Sequence, residues 1–227
     1  MKKLVAGLFA AAVVASVAYG VTSQNAVGFV EKTIEPGELL ALSIPFLNMA
    51  EGSDGSWAFK DLDLAKNAPR GTKVFFWKDN AWDAKDAGRN GGFNNVTNVL
   101  KPGEFFFIQW PKNAESASLI MSGEVPDDAK IPVVVMGKKN LSAIGNPYPT
   151  EMAFKDTDVA QKAPRGSVVY FWSNGTWEKK DAGRNGGFNN VTNVLDVGEG
   201  FFFQTSSSDT YDSKEWEVER PYTWPAE

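Results

Sequence analysis

A mainly β fold made of two tandem copies is what this sequence predicts, and three observations predict it. The sixteen residues KDAGRNGGFNNVTNVL stand at Lys85–Leu100 and again, unchanged, at Lys180–Leu195, an offset of 95. The surrounding stretches match more loosely: FKDLDLAKNAPRG (Phe59–Gly71) and FKDTDVAQKAPRG (Phe154–Gly166) share nine of thirteen residues, and GEFFFIQ (Gly103–Gln109) corresponds to GEGFFFQ (Gly198–Gln204). Each copy consists of short runs rich in Val, Ile, Phe and Trp, punctuated by Gly, Pro, Asn and Asp, which is the pattern of a sandwich or a barrel. The expected layout is a signal peptide over 1–20, a first repeat over 21–126 and a second over 127–227. Each repeat is a sandwich- or barrel-like unit of about 100 residues with one short helix.

The leader comes first. Lys2 and Lys3 precede an uncharged apolar run, LVAGLFAAAVVASVA, and small residues at Ser16, Ala18 and Gly20 occupy signal-peptidase positions. The run is shorter than the roughly 20 residues needed to span a bilayer. A cleaved signal and a secreted product (extracellular, periplasmic or on the cell surface) are therefore expected, with no membrane span after cleavage. No Cys follows the run to accept a lipid.

NAVGFVEKTI and LLALSIPF read as the opening strands, and LLALSIPF corresponds to LSAIGNPYP in the second copy. AFKDLDLAKN, equivalent to AFKDTDVAQK, is the helical candidate: its acids come early and its lysines late, as the helix dipole prefers. The proline of the following APRG ends it. Next come the hairpins. WSNGTW places Asn174-Gly175 in a two-residue type I′ turn, so Trp172 faces Trp177; in the first copy Trp77 faces Trp82 around Asp79-Asn80. An opposed aromatic pair of this kind stabilises a hairpin by roughly 0.5–1 kcal/mol. GEFFFIQ and GEGFFFQ carry bulk on both faces, so these strands should be central and covered on both sides. ASLIMSGEVP, matched by SKEWEVERPY, closes each copy.

Composition narrows the chemistry. The formal charge is −5, and −7 once Lys2 and Lys3 are removed with the leader. Such a chain lacks the basic footprint that phosphate backbones demand, so no nucleic-acid partner is expected. The absence of Cys removes disulfides and thiolate nucleophiles, and the absence of His removes the commonest general base and most zinc sites. No cofactor or metal is expected; the copied stretch holds one acid, whereas strong calcium sites use several. A carboxylate-based glycoside hydrolase would need a partner for Glu104 or Glu199 at about 5–10 Å. The repeated acids Asp61/Asp63, Asp156/Asp158, Asp86 and Asp181 are the candidates.

The copied stretch itself is the candidate binding surface. Gly88, Gly91 and Gly92 permit tight turns. Its asparagines are expected to cap neighbouring backbone groups. Val96, Val99 and Leu100 read as anchors to the core, and Phe93 as either an anchor or an exposed aromatic. The candidate binding residues are Asp86, Arg89, Asn90, Phe93, Asn94 and Asn95, with Asp181, Arg184, Asn185, Phe188, Asn189 and Asn190 in the second copy. Binding residues concentrate on loops held by rigid scaffolds. An Arg among backbone amides can hydrogen-bond sugar hydroxyls or a protein backbone. The plainer alternatives are a recent local duplication and an Arg tied to the Asp three residues earlier.

NLSAIGNPYP, VVYFWSNGTWEKKDAGRNGG and VGEGFFF together resemble a repeat of uncharacterised secreted proteins of Gram-negative bacteria. In those proteins a GNPYP-like turn, a short helix, a YxW…W hairpin, a Gly-rich loop and a PGEGFF strand follow in order. The resemblance covers nearly all of the expected mature chain, and SIPFLN in the first copy departs from the full GNPYP turn. It implies a secreted β-repeat module and supplies no catalytic residues. The functional expectation is a non-enzymatic extracellular or cell-envelope interaction or structural protein. Its partner would be an extracellular polymer or protein, self-association included, with glycan binding or carboxylate hydrolysis as alternatives.

Overall fold

The computed structural model describes residues 26–51, 53–173 and 175–224. The expected signal peptide and Asn174 of the second hairpin turn lie outside them. The protein is mainly β. The first half runs β1 (Val27–Ile34), β2 (Leu39–Ser43), β3 (Trp57–Ala58), α1 (Asp63–Lys66), β4 (Lys73–Lys78), β5 (Ala81–Asp86), β6 (Val99–Leu100), β7 (Phe105–Gln109) and β8 (Ala117–Glu124). The second runs β9 (Lys130–Met136), β10 (Leu141–Gly145), β11 (Met152–Ala153), α2 (Asp158–Lys162), β12 (Val168–Ser173), β13 (Thr176–Asp181), β14 (Val194–Leu195), β15 (Gly200–Gln204) and β16 (Ser213–Glu219).

Two antiparallel four-stranded sheets form, in the orders β2-β7-β4-β5 and β10-β15-β12-β13. Both are open, so the arrangement is sandwich-like and not a closed barrel. The register recurs between the halves: Leu39 pairs with Gln109 and Leu141 with Gln204, while Phe75 pairs with Phe107 and Tyr170 with Phe202. Ribbons β1–β8 and β16–β9 lie outside the sheets. In the first half the ribbon buries Ile34, Leu119 and Met121 against Phe106 and Ile108; in the second, Ile131, Val133, Trp216 and Val218 pack with Phe201 and Phe203.

The phenylalanine-rich strands are central, and the pleat explains their composition. Successive side chains alternate faces. Phe106 and Ile108 of β7 enter the core of their own half. Phe105 and Phe107 enter a third apolar layer, shared with Phe202 of β15 and bordered by Trp77, Tyr170 and Trp172. The two sheets meet face to face through this layer. Its contacts are reciprocal. Trp77 Nε1 donates to the Leu141 carbonyl at 2.9 Å and Trp172 Nε1 to the Leu39 carbonyl at 3.2 Å. Ser43 N donates to Gly198 O and Gly145 N to Gly103 O, both at 2.7 Å. Reciprocity breaks at two places. Phe105 stands where the second copy has Gly200, and a Cβ on Gly200 would come within 2.4 Å of its ring. A Cβ on Gly145 would lie 2.1 Å from Ser43 Cβ. Large on one side and small on the other lets two near-identical faces close without collision, which two copies of the first face could not do.

The hairpin turn at Asp79 and Asn80 has φ of 52° and 59°, as a type I′ turn requires. Trp77 opposes Trp82 and Trp172 opposes Trp177, with ring centroids 4.9 Å apart in each pair. The helical segment is shorter than its sequence pattern: a 3-10 turn at Phe59–Asp61 precedes the single turn of α1, with Leu62 extended between them. The break lets Phe59 drop fully into the core, edge-on to Phe76, Phe93 and Phe106. In the second copy, the Asn of the GNPYP turn, Asn146, is buried. Its amide donates to Thr150 O at 2.7 Å and its Oδ1 accepts from Tyr148 N at 3.0 Å. Ile44 takes that position in the first copy, which therefore lacks the bonds of the full motif.

Candidate functional site

Each copied loop is closed by the same backbone bonds. Gly88 N donates to Gly92 O at 2.7 Å, Gly91 N to Gly88 O at 2.9 Å, Gly92 N to Ala68 O at 2.8 Å and Phe93 N to Ala65 O at 2.9 Å. In the second copy Gly183, Gly186, Gly187 and Phe188 repeat the set, with Ala163 and Ala160 as the outside acceptors. The loop is thus fastened to the helix and to the APRG turn. Gly91 and Gly186 both have φ of +84°, and a Cβ on either would sit 2.7 Å from the carbonyl oxygen of Ala68 or Ala163.

Two expectations about the loop are corrected. Phe93 and Phe188 are anchors only: each is 2% exposed, and they meet Phe59 and Phe154 edge-on at 5.4 and 5.6 Å. Neither has a face free for a ligand. The asparagines do not cap the loop, because backbone amides and carbonyls close it first. Asn90, Asn94, Asn95, Asn185, Asn189 and Asn190 are exposed, and no side-chain hydrogen bond is formed by any of them among the described residues.

The charged residues divide clearly. Asp86 pairs with Lys73 at 2.5 Å and Asp181 with Lys179 at 3.0 Å. Arg89 and Arg184 are exposed and have no partner among the described residues. The expected alternative, an Arg held by the Asp three residues earlier, is absent among the described residues: Lys73 of the neighbouring strand β4 takes Asp86, and Lys179, two residues earlier on the same strand β13, takes Asp181.

The tail of the first copied stretch borders a cleft of about 800 Å3 between the two halves. Trp77, Asp83, Lys85, Asn98 and Glu104 line it on one side and Leu141 on the other. Sequence reading passed over Asp83 and its counterpart Glu178, because they differ in residue type; what survives between copies is a carboxylate. Asn98 reaches Asp83 at 3.5 Å and Asn193 reaches Glu178 at 3.1 Å. The hydrogen bond from Lys85, opposed by some desolvation and helped by Asn98, holds the Asp83 carboxyl below its usual range. Glu104 moves the other way: although its side chain reaches solvent, neighbouring protein atoms desolvate the carboxyl and raise it, partly offset by the Lys101 amide that donates to it at 3.1 Å. Both carboxyls border the cleft. Among the described residues, no group of three or more acidic side chains is placed to hold a metal ion.

Glu104→Gln checks the electrostatics. A carboxyl whose folded-state value lies above its unfolded one is harder to ionise in the native protein. Its contribution therefore falls as pH rises from the unfolded value through the folded one, and stays low above that. Glu104→Gln, which keeps an oxygen for Lys101, is expected to melt above the parent at pH 7. The gap should close as pH drops below the ordinary glutamate value of 4.5. Thermal melts across pH read both.

Aromatic stacking beside the arginines has little to draw on. Trp82 and Trp177 keep 44% and 41% of their surface exposed, but their rings pack on Phe107 and Phe202. No helix among the described residues is long and apolar enough to cross a membrane. Comparison of the chain with protein-family models, with curated proteins and with solved structures gives no match.

Proposed function

We propose that the protein is a secreted, non-catalytic interaction protein of the extracellular space or cell envelope, engaging its partner through the two copied loops. The observation that carries this reading is the state of Arg89 and Arg184. Both are exposed and unpaired on loops whose backbone is fixed, while the neighbouring aspartates are committed to lysines. A guanidinium held this way offers five donors in a planar fork. Fixing the loop before contact reduces the ordering cost of binding. Self-association as the form of the interaction has one further support. Phe29 on the outer face of ribbon β1–β8 is 73% exposed, beside exposed Val27 and Ile120.

The test compares the parent with Arg89→Ala/Arg184→Ala in two assays: light scattering over a concentration series, and co-sedimentation with insoluble cell-envelope material. The double variant is expected to lose whichever association the parent shows. Association equal to the parent's in both assays would remove the arginines from the function.

A further inference from the structure

Two more arginines stand beside the copied loops. Arg70 and Arg165 belong to the duplicated APRG turns; both are exposed and unpaired among the described residues. The turns are themselves fixed: Thr72 N and Ser167 N each donate to a proline carbonyl at 3.1 Å, and Ala87 N and Ala182 N return to Thr72 O and Ser167 O at 2.9 Å. Each turn is also fastened to its copied loop by the bond from Gly92 N to Ala68 O, or Gly187 N to Ala163 O. The main chains run so close that a Cβ on Gly91 would lie 3.7 Å from Arg70 N, and one on Gly186 3.5 Å from Arg165 N. Arg70 and Arg89 thus rise from adjoining, fixed loops, and Arg165 and Arg184 from the equivalent place on the other half.

No carboxylate among the described residues pairs with any of the four arginines. The aspartates of the adjoining helices and hairpins are engaged with lysines: Asp86 with Lys73, Asp181 with Lys179, Asp158 with Lys162 at 2.5 Å, and Asp63 with Lys66 at 4.0 Å. Two unpaired cations carried on adjoining loops are favoured when an anion joins them. In a chain of formal charge −5, keeping such a pair twice argues for an anion that comes from outside.

We propose that Arg70 with Arg89, and Arg165 with Arg184, form two equivalent sites for oxyanions on an acidic polysaccharide, the carboxylates of uronates or the sulfates of sulfated sugars. Guanidinium binds both groups bidentately. A repeating polymer is favoured over a single small anion because the sheet-to-sheet layer joins two like sites in one molecule. Engaging both can raise affinity by about 10²–10⁴ over one alone. A polysaccharide is favoured over nucleic acid because the chain carries a formal charge of −5, which a dense phosphate backbone would oppose. This proposal rests on the loop-binding reading above and adds Arg70, Arg165 and the class of partner.

Affinity electrophoresis in native gels containing polygalacturonate, heparin, neutral dextran or single-stranded DNA tests it. The parent is expected to be retarded by polygalacturonate or by heparin, and which of the two decides between carboxylate and sulfate; dextran should have no effect. Arg70→Ala/Arg165→Ala should weaken the interaction roughly tenfold or more at an unchanged melting temperature. Arg70→Ala/Arg89→Ala, which leaves one site whole, should lose the two-site gain of about 10²-fold or more. Parent-like retardation of Arg70→Ala/Arg165→Ala, no retardation by either acidic polysaccharide, or tighter binding of DNA would each overturn the proposal. If Arg89→Ala/Arg184→Ala abolishes association while Arg70→Ala/Arg165→Ala does not, the loop reading stands and this extension falls. If neither variant changes association, both fall.

Discussion

Phe202→Ala is expected to destabilise the protein by about 3–5 kcal/mol, the usual range for emptying a buried phenylalanine site. Phe202 lies in the layer between the sheets, 4% exposed, with its ring 5.2 Å from Trp77, 5.6 Å from Trp82, 5.7 Å from Phe105 and 5.4 Å from Trp177. Three of these neighbours belong to the other half, so the truncation opens a cavity in the contact that joins the halves. At roughly 2–4 °C per kcal/mol for a chain of this size, the melting temperature should fall by about 10 °C. Phe107→Ala should act similarly, since its ring meets Trp82, Trp172 and Trp177. The double variant should cost less than the sum, because the two cavities share walls. Phe29→Ala, at an exposed position, is the control and should stay within about 0.5 kcal/mol. A Phe202→Ala melt matching that control would refute the shared layer.

The second large effect lies in the copied loop. Gly91→Ala/Gly186→Ala forces a side chain into left-handed backbone twice, at about 1–2 kcal/mol each. It also drives each new Cβ to 2.7 Å from a main-chain carbonyl that is itself holding the loop. That oxygen cannot move without breaking its bond from Gly92 or Gly187. Gly175→Ala separates the two causes: its φ is +74°, yet nothing lies within 4 Å of the added atom. The loop variant is therefore expected to lower the melting temperature by clearly more than twice the loss in Gly175→Ala. A loss of only twice that amount would mean the carbonyl contact yields freely.

What the sequence disclosed depended on how local the cause was. The opposition of Trp77 to Trp82 follows from a two-residue turn alone, and the central place of β7 follows from Phe105–Ile108 lacking any polar alternation. Phe93 was ambiguous because the pocket that takes it is built around Phe59, more than thirty positions earlier. The asparagines look like caps in a stretch read by itself, yet the carbonyls of Ala65 and Ala68, outside that stretch, take the amides of Phe93 and Gly92. The sheet-to-sheet layer left the faintest trace. Phe105 against Gly200 resembles ordinary drift between copies, and only the opposed sheets turn it into a fit of large against small. Arg70 was visible as a repeated residue, but its nearness to Arg89 is set by one long-range backbone bond. Asp83 escaped notice because its counterpart is a glutamate.

The central claim is a division of labour within the sixteen copied residues. Glycines, Phe93 and Phe188 hold the loops, and Arg89 and Arg184 are left for a partner. Thermal melting of Arg89→Ala/Arg184→Ala beside the parent tests this most directly. An exposed guanidinium with no intramolecular partner contributes at most about 1 kcal/mol, so the two melts should agree to within roughly 2–3 °C. A fall of about 10 °C, comparable to that expected for Phe202→Ala, would show that the arginines are part of the framework and would contradict the account.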